Sequence, residues 1–313
     1  MSTAVQPVPV QFAPTESQLR VAYSVCRSIA RASAKNFYYA FLVLPKSKRE
    51  GLCAVYAYMR RCDDIADDPA LALGERRNHL AAWLDALHLA QNGHPTDDPV
   101  LLALTDTQRK FSIPAVLLDQ LAFGTAMDVE EEMQSGLTGA SLPQVQYKTF
   151  QDLCFYCYRV ASVVGLVCIR VFGYKDPSAE KLAERLGLAF QLTNIIRDVK
   201  EDSELGRVYF PQEDLLRFGV AVSDLGRGSN PAAIRALLAA EADRAREFYQ
   251  AADQLVPLVD EDSQPALWVL ATIYRRLLEK IARQQYDVFR QKISLTTREK
   301  LVILGKGFFK RLV

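Results

Sequence analysis

The sequence lacks a surplus of charge of either sign. Its 313 residues include 38 lysines and arginines against 37 aspartates and glutamates, which gives a formal net charge of +1. Because proteins that hold nucleic acid through its phosphates need a surplus of basic side chains, we expect no nucleic-acid partner. The chain is 50% apolar, which is too hydrophobic for a disordered protein, and it is long enough to bury a large core.

Long uncharged apolar runs and a secretory signal are also missing. Residues 160–169, a typical apolar run, lie between Arg159 and Arg170 and have about half of the roughly 20 residues that a membrane-spanning helix needs. Residues 1–15 are uncharged and contain three prolines, unlike the basic start of a signal peptide. We therefore predict a flexible lead-in over residues 1–15, a single domain over residues 16–313 and a cytoplasmic protein.

Histidine is scarce, and loops that bind phosphate through their backbone are absent. The three histidines, His79, His88 and His94, fall in one surface-like stretch, so neither a histidine metal site nor a catalytic triad has support. No Gly-x-x-x-x-Gly-Lys or Gly-x-Gly-x-x-Gly segment occurs. The six cysteines lie mostly in apolar helical patterns, which indicates buried reduced thiols and not disulfides.

Helical periodicity runs through most of the chain. No sustained apolar and polar alternation occurs, and no Asn-Gly or Asp-Gly turn separates two strand-like runs. Short connections favour one all-α bundle whose interior can hold a ligand. Gly173 and Gly206 are predicted to end helices. The spacing of apolar residues predicts helices over residues 17–31, 47–67, 74–91, 114–134, 143–172, 177–204, 231–255 and 264–289.

Two of the predicted helices carry polar side chains stacked on one face, because positions three or four apart share a helix face. On the first polar face these positions hold Tyr56, Arg60, Asp63 and Asp67, with Asp64 beside them. On the second polar face they hold Gly187, Gln191, Asn194, Asp198 and Asp202. An acidic face in contact with water is the ordinary source of such spacing.

Three features favour a metal site over a solvated face. The second polar face is flanked by aliphatic residues, so it points towards an enclosed space. Like charges four residues apart destabilise a helix slightly, and a bound cation would offset that repulsion. Each face also has an arginine nearby, Arg60 or Arg197. Carboxylates with one amide oxygen are hard ligands that suit Mg²⁺ or Mn²⁺, so the two faces predict a metal-bridged diphosphate site.

Five sequence segments together resemble the motifs of one family. They are Asn-Phe-Tyr-Tyr-Ala at 36–40, the aspartates at 63–67, Tyr-Cys-Tyr-Arg-Val-Ala-Ser at 156–162, Asn-x-x-x-Asp-x-x-x-Asp at 194–202 and Gly-Arg-Val-Tyr-Phe-Pro at 206–211. In this order they resemble the squalene/phytoene synthase family over nearly the whole chain. Head-to-tail prenyl-chain elongases normally repeat Asp-Asp-x-x-Asp as their second motif, whereas this chain has the asparagine pattern of the head-to-head enzymes.

The resemblance implies a fold and a set of residue roles. The fold is an all-α, single-domain bundle of the isoprenoid-synthase type with a central substrate cavity, and an apolar tunnel would be shaped by Phe37, Phe41, Val160, Ala161 and Gly165. The Mg²⁺ ligands would be Asp63, Asp64, Asp67, Asn194, Asp198 and Asp202. The substrate-binding residues would be Lys35, Arg60, Asp128, Gln191, Arg197, Arg207 and Tyr274. The residues that steer the departing diphosphate or the carbocation would be Tyr56, Tyr156 and Arg60.

One position departs from the family pattern. Many relatives carry an arginine near Gln291, but here the neighbouring charges are Arg290 and Lys292. That contact is therefore left unassigned.

The resemblance leaves the substrate open. The first expectation is a Mg²⁺-dependent condensation of two farnesyl diphosphates through a cyclopropyl intermediate to presqualene diphosphate, squalene or dehydrosqualene. NADPH is implied if squalene is the final product. The alternative is a phytoene synthase that condenses two geranylgeranyl diphosphates. A third alternative, an inactive helical scaffold, would show broken polar faces, and here every metal position carries an oxygen ligand.

Partners beyond the prenyl diphosphate substrates are suggested only by the last segment. Residues 301–313 mix apolar and basic side chains, so they form either a final helix packed on the body or a weak anchor at a membrane interface. A peripheral contact with the inner face of the membrane stays open on this basis, as does the choice between a monomer and a homodimer.

Overall fold

Helices dominate the residues that a computed structural model describes, which are 13–34, 36–135 and 144–312. Two short strands, β1 (Gln144–Val145) and β2 (Arg207–Val208), pair in parallel. The all-α prediction is thereby confirmed. In these ranges the α-helices are α1 (Glu16–Ser33), α2 (Phe37–Phe41), α3 (Lys46–Ala66), α4 (Leu73–Gln91), α5 (Pro99–Lys110), α6 (Ala115–Ser135), α7 (Phe150–Cys157), α8 (Val163–Phe172), α9 (Ser178–Glu204), α10 (Gln212–Phe218), α11 (Val222–Arg227), α12 (Pro231–Leu255), α13 (Gln264–Arg283) and α14 (Thr297–Leu312).

The long helices begin and end where the sequence provides signals. The backbone N–H of Ser178 donates to Asp176 Oδ1 at 2.8 Å, which caps the start of α9. Gly173 follows α8 with a φ of 77°, and Gly206 follows α9 with a φ of 80°. Both angles lie in the left-handed region that favours glycine, so the two predicted helix ends are confirmed.

Other predicted boundaries were wrong or incomplete. The predicted helix over 143–172 begins at Phe150, because Thr149 caps it and β1 precedes it. The predicted helix over 264–289 ends at Arg283, since Gln285 and Tyr286 both have positive φ. Four helices were not predicted, namely α2, α5, α10 and α11. Three of these have seven residues or fewer, which is too short to establish a period.

The longest apolar helix spans Phe150–Phe172, formed by α7, one π-helical turn (Tyr158–Ser162) and α8. Its 23 residues would be enough to cross a membrane by length and composition alone. The uncharged part of this helix between Arg159 and Arg170 remains the ten residues 160–169. Half of its most apolar window is buried, and it packs on α6 and α9, as expected of a core helix.

This core helix approaches α9 closely because two glycines face each other's helices. A Cβ on Gly165 would lie 2.8 Å from the carbonyl oxygen of Ala183, and one on Gly187 would lie 2.7 Å from that of Ala161. The Ser162 hydroxyl donates to the Glu184 carbonyl oxygen at 2.8 Å across the same contact. The backbones of the two helices are therefore in direct contact over little more than one turn, residues 161–165 against residues 183–187.

We predict that Gly187→Ala destabilises the fold by about 1–3 kcal/mol, because the new methyl group would meet backbone atoms that cannot rotate away. The measurement is the free energy of unfolding in urea. Gly74→Ala is the control: Gly74 lies in α4, and its added Cβ would meet nothing within 4 Å. Equal stability of the Gly187→Ala and Gly74→Ala variants would contradict the close packing.

Burial of the six cysteines follows the sequence prediction. Four are buried and two are half-buried, and all are free thiols. Burial raises the pKa of Cys26, Cys53 and Cys62 to about 12 and that of Cys154 to about 11. None of these four thiols is therefore ionised to a useful extent near neutral pH.

A buried acidic pair lies between α10 and α12. Arg244 Nη1 donates to Asp214 Oδ2 at 2.9 Å and to Glu241 Oε1 at 3.0 Å, and its guanidinium stacks over Phe150 at 4.0 Å. Glu241 is 2% exposed, and its Oε2 has no hydrogen-bond partner among the described residues. Burial raises the pKa of Glu241 above its ordinary value, and Asp214 adds to that shift while Arg244 opposes it.

This raised pKa predicts that the fold loses stability as pH rises from the ordinary pKa of a glutamate to the raised one. The unfolded chain releases the Glu241 proton in that window, while the folded chain retains it. Glu241→Gln imitates the protonated side chain, since an amide can accept from Arg244 and donate to Asp214. We expect the variant to be more stable than the unmodified chain by about 2 kcal/mol near pH 8 and equally stable near pH 4. The measurement is thermal unfolding of both proteins at the two pH values. If the carboxylate stabilises the fold, the unmodified chain will instead be the more stable of the two near pH 8.

Candidate active site

A cavity of about 190 Å³ lies between α2, α3, α8, α9 and α13. Its wall is mostly aliphatic and aromatic, and the five residues expected to shape a tunnel, Phe37, Phe41, Val160, Ala161 and Gly165, all line it. Small residues on the facing walls leave this space open between the helices. The polar side chains that reach the wall are Tyr56, Gln191, Asn194 and Tyr274.

Both predicted polar faces start at this cavity. Tyr56 belongs to the first face, and Gln191 and Asn194 belong to the second. From these residues, each face continues along its helix with carboxylates one and two turns further on. The site is thus one cavity with an apolar interior. Because of the helix period, two rows of oxygen atoms lead away from it, one along α3 and one along α9.

Asn194 presents an unused acceptor at the edge of the cavity. Its Nδ2 donates to Gln191 Oε1 at 3.5 Å, while its Oδ1 is buried without a hydrogen-bond partner among the described residues. A buried polar atom without a partner is costly, so Asn194 Oδ1 is a candidate contact for a ligand, beside the hydrogen bond that the Asn194 amide makes with Tyr274.

Asp198, one turn along α9, is held by two cations. Arg197 donates to both carboxylate oxygens, with Nε at 2.8 Å from Oδ1, and Lys292 Nζ lies 2.8 Å from the same Oδ1. Burial opposes ionisation of Asp198, but the hydrogen bonds from Arg197 and Lys292 outweigh it and hold its pKa below the ordinary value. Asp198 is thus a carboxylate at neutral pH.

The pKa of Asp202, one further turn along α9, shifts in the opposite direction from that of Asp198. Burial, together with the charge of Asp198, raises the pKa of Asp202 to about 7, although Arg207 opposes the shift. Two carboxylates on one buried face repel each other, and the protein's own cations are concentrated on the first of them. A divalent cation beside both would allow both to ionise.

The first polar face is more exposed. Thr125 Oγ1 donates to Asp63 Oδ1 at 3.4 Å, and Arg60 pairs with Asp64 at 2.5 Å. Asp67 caps the C-terminal end of α3 and is exposed. Asp63 is the half-buried carboxylate of this face, while Asp64 and Asp67 meet solvent.

The donor set fits a hard divalent cation. Within the described residues, no three histidine, cysteine, aspartate or glutamate side chains are grouped closely enough to hold a metal alone. Mg²⁺ does not need such a group, since it takes one or two carboxylates and completes its octahedron with water and substrate phosphates. Asp63, Asp198, Asp202 and the unpartnered Asn194 Oδ1 supply the oxygen chemistry that Mg²⁺ prefers.

Tyr274 completes the aromatic part of the cavity from α13. Its ring stacks on Phe190 with centroids 4.4 Å apart and contacts Phe37 at 5.8 Å. Burial raises the pKa of its hydroxyl. Tyr274 therefore remains a neutral phenol, which suits it to bind an anion as a donor or to face a cation with its ring.

Of the remaining predicted site residues, Tyr156 lies outside this arrangement, and two others fall outside what the structure describes. Tyr156 is buried between Tyr147 and Tyr209, with ring centroids at 5.4 and 5.3 Å, and it is not among the residues that line the cavity. Lys35 lies outside the described residues. Of Asp128 the structure describes the helical backbone and not the side chain. The roles predicted for these residues stay predictions.

Lys292 is the residue that sequence reasoning did not assign. It follows α13 in a segment without regular structure, and it contacts both Asp198 and Glu201, the latter at 3.3 Å. The neighbouring Arg290 is highly exposed and pairs with Asp287. The sequence signal was the pair of basic residues around Gln291, but only the folded chain shows which of them reaches the second polar face.

We predict that Asp198→Asn lowers kcat by roughly 100-fold or more, because the amide neither carries the charge that a divalent cation needs nor balances Arg197 and Lys292. Steady-state kinetics measure the loss, and circular dichroism checks the helix content. Glu204→Gln, an exposed carboxylate on the last turn of α9, is the matched control and should retain activity. Comparable activity of the two variants would contradict the role of Asp198.

Comparison with known proteins covers nearly the whole chain. A family model described as squalene/phytoene synthase matches residues 30–299. The 15-cis-phytoene synthase of Synechococcus elongatus is 34% identical over 323 aligned positions, which cover 99% of each protein. The phytoene synthase of Mycobacterium tuberculosis is 36% identical, with 91% of this chain and 89% of the relative covered. Both similarities span the two polar faces and the cavity.

The fold is also that of a solved enzyme. A crystal structure of a dehydrosqualene synthase in complex with a ligand has a TM-score of 0.81 and 32% identity, and the match covers 93% of this chain and 96% of that one. The helices that surround the cavity lie within the matched region, so the similarity extends to the architecture of the site.

Proposed function

The chain belongs to the squalene/phytoene synthase family, and we propose that it joins two molecules of geranylgeranyl diphosphate head to head to form phytoene. Members of this family are prenyltransferases, and the chain is one of them. The observation that carries the choice of substrate is the match to phytoene synthases along almost the full length. The expectation of farnesyl diphosphate as substrate has less support than this alternative.

The proposed reaction divides the substrate between the two parts of the site. The prenyl tails enter the apolar cavity, where their burial excludes water from the reacting carbons. The diphosphates lie along the polar faces, where Arg197 and Lys292 offer positive charge at the second face and Arg60 at the first. Bound Mg²⁺ would be held by the carboxylates and Asn194 and would stabilise negative charge on the leaving diphosphate.

The cavity wall suits a carbocation. When the first diphosphate departs, an allylic cation is left, and a nearby nucleophile such as water would quench it. The rings of Tyr56, Phe37 and Tyr274 present electron-rich faces without a basic group that would capture the cation. The second prenyl chain is then the nearest nucleophile, which favours carbon–carbon bond formation.

No hydride donor is needed for this product. After the second diphosphate departs, loss of a proton from the forty-carbon cation forms the central double bond. Squalene formation would instead consume a hydride from NADPH. The proposal therefore contains Mg²⁺ or Mn²⁺ and no nicotinamide cofactor, and the family's use of a divalent metal to bind diphosphate agrees with this.

The sequence and the structure give little support to the alternative of an inactive helical scaffold. An inactive relative would be free to lose oxygen ligands from its polar faces, whereas this chain retains one at each predicted metal position. Asn194 also keeps a buried acceptor without a partner among the described residues, which costs stability unless a ligand uses it.

Product analysis by mass spectrometry tests the proposal. The purified chain is given geranylgeranyl or farnesyl diphosphate, with Mg²⁺ or with excess chelator, and with or without NADPH. We expect a forty-carbon hydrocarbon from geranylgeranyl diphosphate, formed only with the metal and in the same amount without NADPH. A thirty-carbon product as the preferred one would overturn the substrate assignment, and full turnover in chelator would overturn the metal assignment.

A further inference from the structure

The last helix, α14, packs on the bundle through one side only. Ile303 and Leu304 are buried against the body, and a Cβ on Gly307 would come within 2.3 Å of Val269 on α13. Lys280, near the end of α13, pairs with Glu299, near the start of α14, at 3.0 Å. The two helices therefore run antiparallel, and α14 also contacts α2.

The opposite side of α14 is apolar and exposed. Leu301 is 52% exposed, Val302 48%, Phe308 41% and Phe309 72%. At about 100° per residue, Val302 and Phe309 point away from the buried side of the helix, while Leu301 and Phe308 lie on its flank next to the buried Leu304. A helix at the surface of a soluble protein normally turns polar residues outwards. An exposed apolar face of this kind therefore indicates a surface that binds a partner.

Basic residues lie on and beside the apolar face, and Arg298, about one turn before Val302, falls on the same side of the helix as the face itself. Arg298 and Lys306 of α14 are exposed, and Arg276 and Arg283 of α13 line a cleft beside its first turn. None of these four side chains has an acidic partner in the part of the chain that the structure describes. The acidic residues of that cleft are already neutralised, Glu299 by Lys280 and Glu279 by Arg246. The border of the face is therefore positively charged.

We propose that the face formed by Leu301, Val302, Phe308 and Phe309 docks the protein onto an anionic lipid bilayer. An apolar helix face bordered by basic side chains matches such a surface, since the apolar residues enter the acyl boundary and the cations meet the headgroups. A second copy of the chain fits less well. A two-fold contact through this face would bring the uncompensated basic residues of one copy towards those of the other.

The position of α14 gives this docking a consequence for the cavity. It covers α2 and α13, and these two helices contribute Phe37, Phe41, Leu267 and Leu270 to the cavity wall. Docking would thus leave the single helix α14 between the membrane and the two helices that form this wall of the cavity. The inference goes beyond the proposed reaction and does not depend on it, because the face and its charges are independent of the substrate.

Vesicle flotation of the full-length chain tests the proposal without any substrate. The vesicles contain phosphatidylcholine alone or with about 30% phosphatidylglycerol. We expect binding to the anionic vesicles to be at least about tenfold tighter than to the neutral ones, and Phe309→Ser to weaken it by about tenfold. Leu216→Ser is the matched control, since Leu216 is 74% exposed on α10, and it should bind like the unmodified chain.

Each result bears on the proposal. Arg298→Gln should reduce the preference for anionic vesicles while leaving the apolar residues in place, which separates the two contributions. Failure of the unmodified chain to float, or equal binding by the Phe309→Ser and Leu216→Ser variants, would overturn the proposal. A loss of self-association in Phe309→Ser by light scattering, with no vesicle binding, would assign the face to a second copy. Turnover in detergent should be unchanged by Phe309→Ser, so a failed flotation leaves the proposed reaction untouched.

Discussion

The direct backbone contact between the core helix and α9 is the constraint on which the site depends. Gly165 and Gly187 allow this contact, and the π-helical turn with its Ser162 hydroxyl lies within it. Close packing of the two helices fixes the rotation of α9 about its axis. That rotation decides where Gln191 and Asn194 point, and hence which residues of the second polar face meet the cavity. A shift of a few tenths of an ångström at the glycines would therefore be transmitted to the polar end.

The electrostatics of the second polar face rest on an unequal distribution of charge. Arg197 and Lys292 both donate hydrogen bonds to Asp198, while the charges of Arg207 and Lys292 lower the pKa of Asp202 by less than burial and Asp198 raise it. The site thus keeps one carboxylate ionised and another close to its titration point. This arrangement limits repulsion within the face, and it leaves capacity for further positive charge when a diphosphate and its metal arrive.

Much of the fold could be predicted because long helices repeat their signal. The period of apolar residues recurs over five turns in α3 and seven in α9, and glycine marks the end of α8. Shorter helices such as α2 contain too few residues for a period. The end of α13 was missed for another reason, since Gln285 and Tyr286 adopt positive φ without being glycine. Composition carries no trace of that conformation.

The residues of the site also fall into those that a local sequence pattern predicts and those that it does not. Helix geometry alone predicts that Gln191 and Asn194 share the second polar face and that Tyr56 lies on the first. Lys292 reaches Asp198 from a segment without regular structure, and Tyr156 joins an aromatic cluster with Tyr147 and Tyr209. Both positions depend on contacts between residues that are distant in the sequence, for which no local pattern exists.

The burial of the thiols has a practical consequence for studying this bundle. A thiol reacts with alkylating reagents as the thiolate, so Cys26, Cys53 and Cys62 are inert while their helices stay packed. Alkylation of these residues would report local opening of the helices that carry them, one helix by Cys26 and another by Cys53 and Cys62. Cys168 differs because it lines the cavity. Burial raises the pKa of the Cys168 thiol to about 12 as well, so its alkylation would report opening of the cavity wall, while the other cysteines report opening of their own helices.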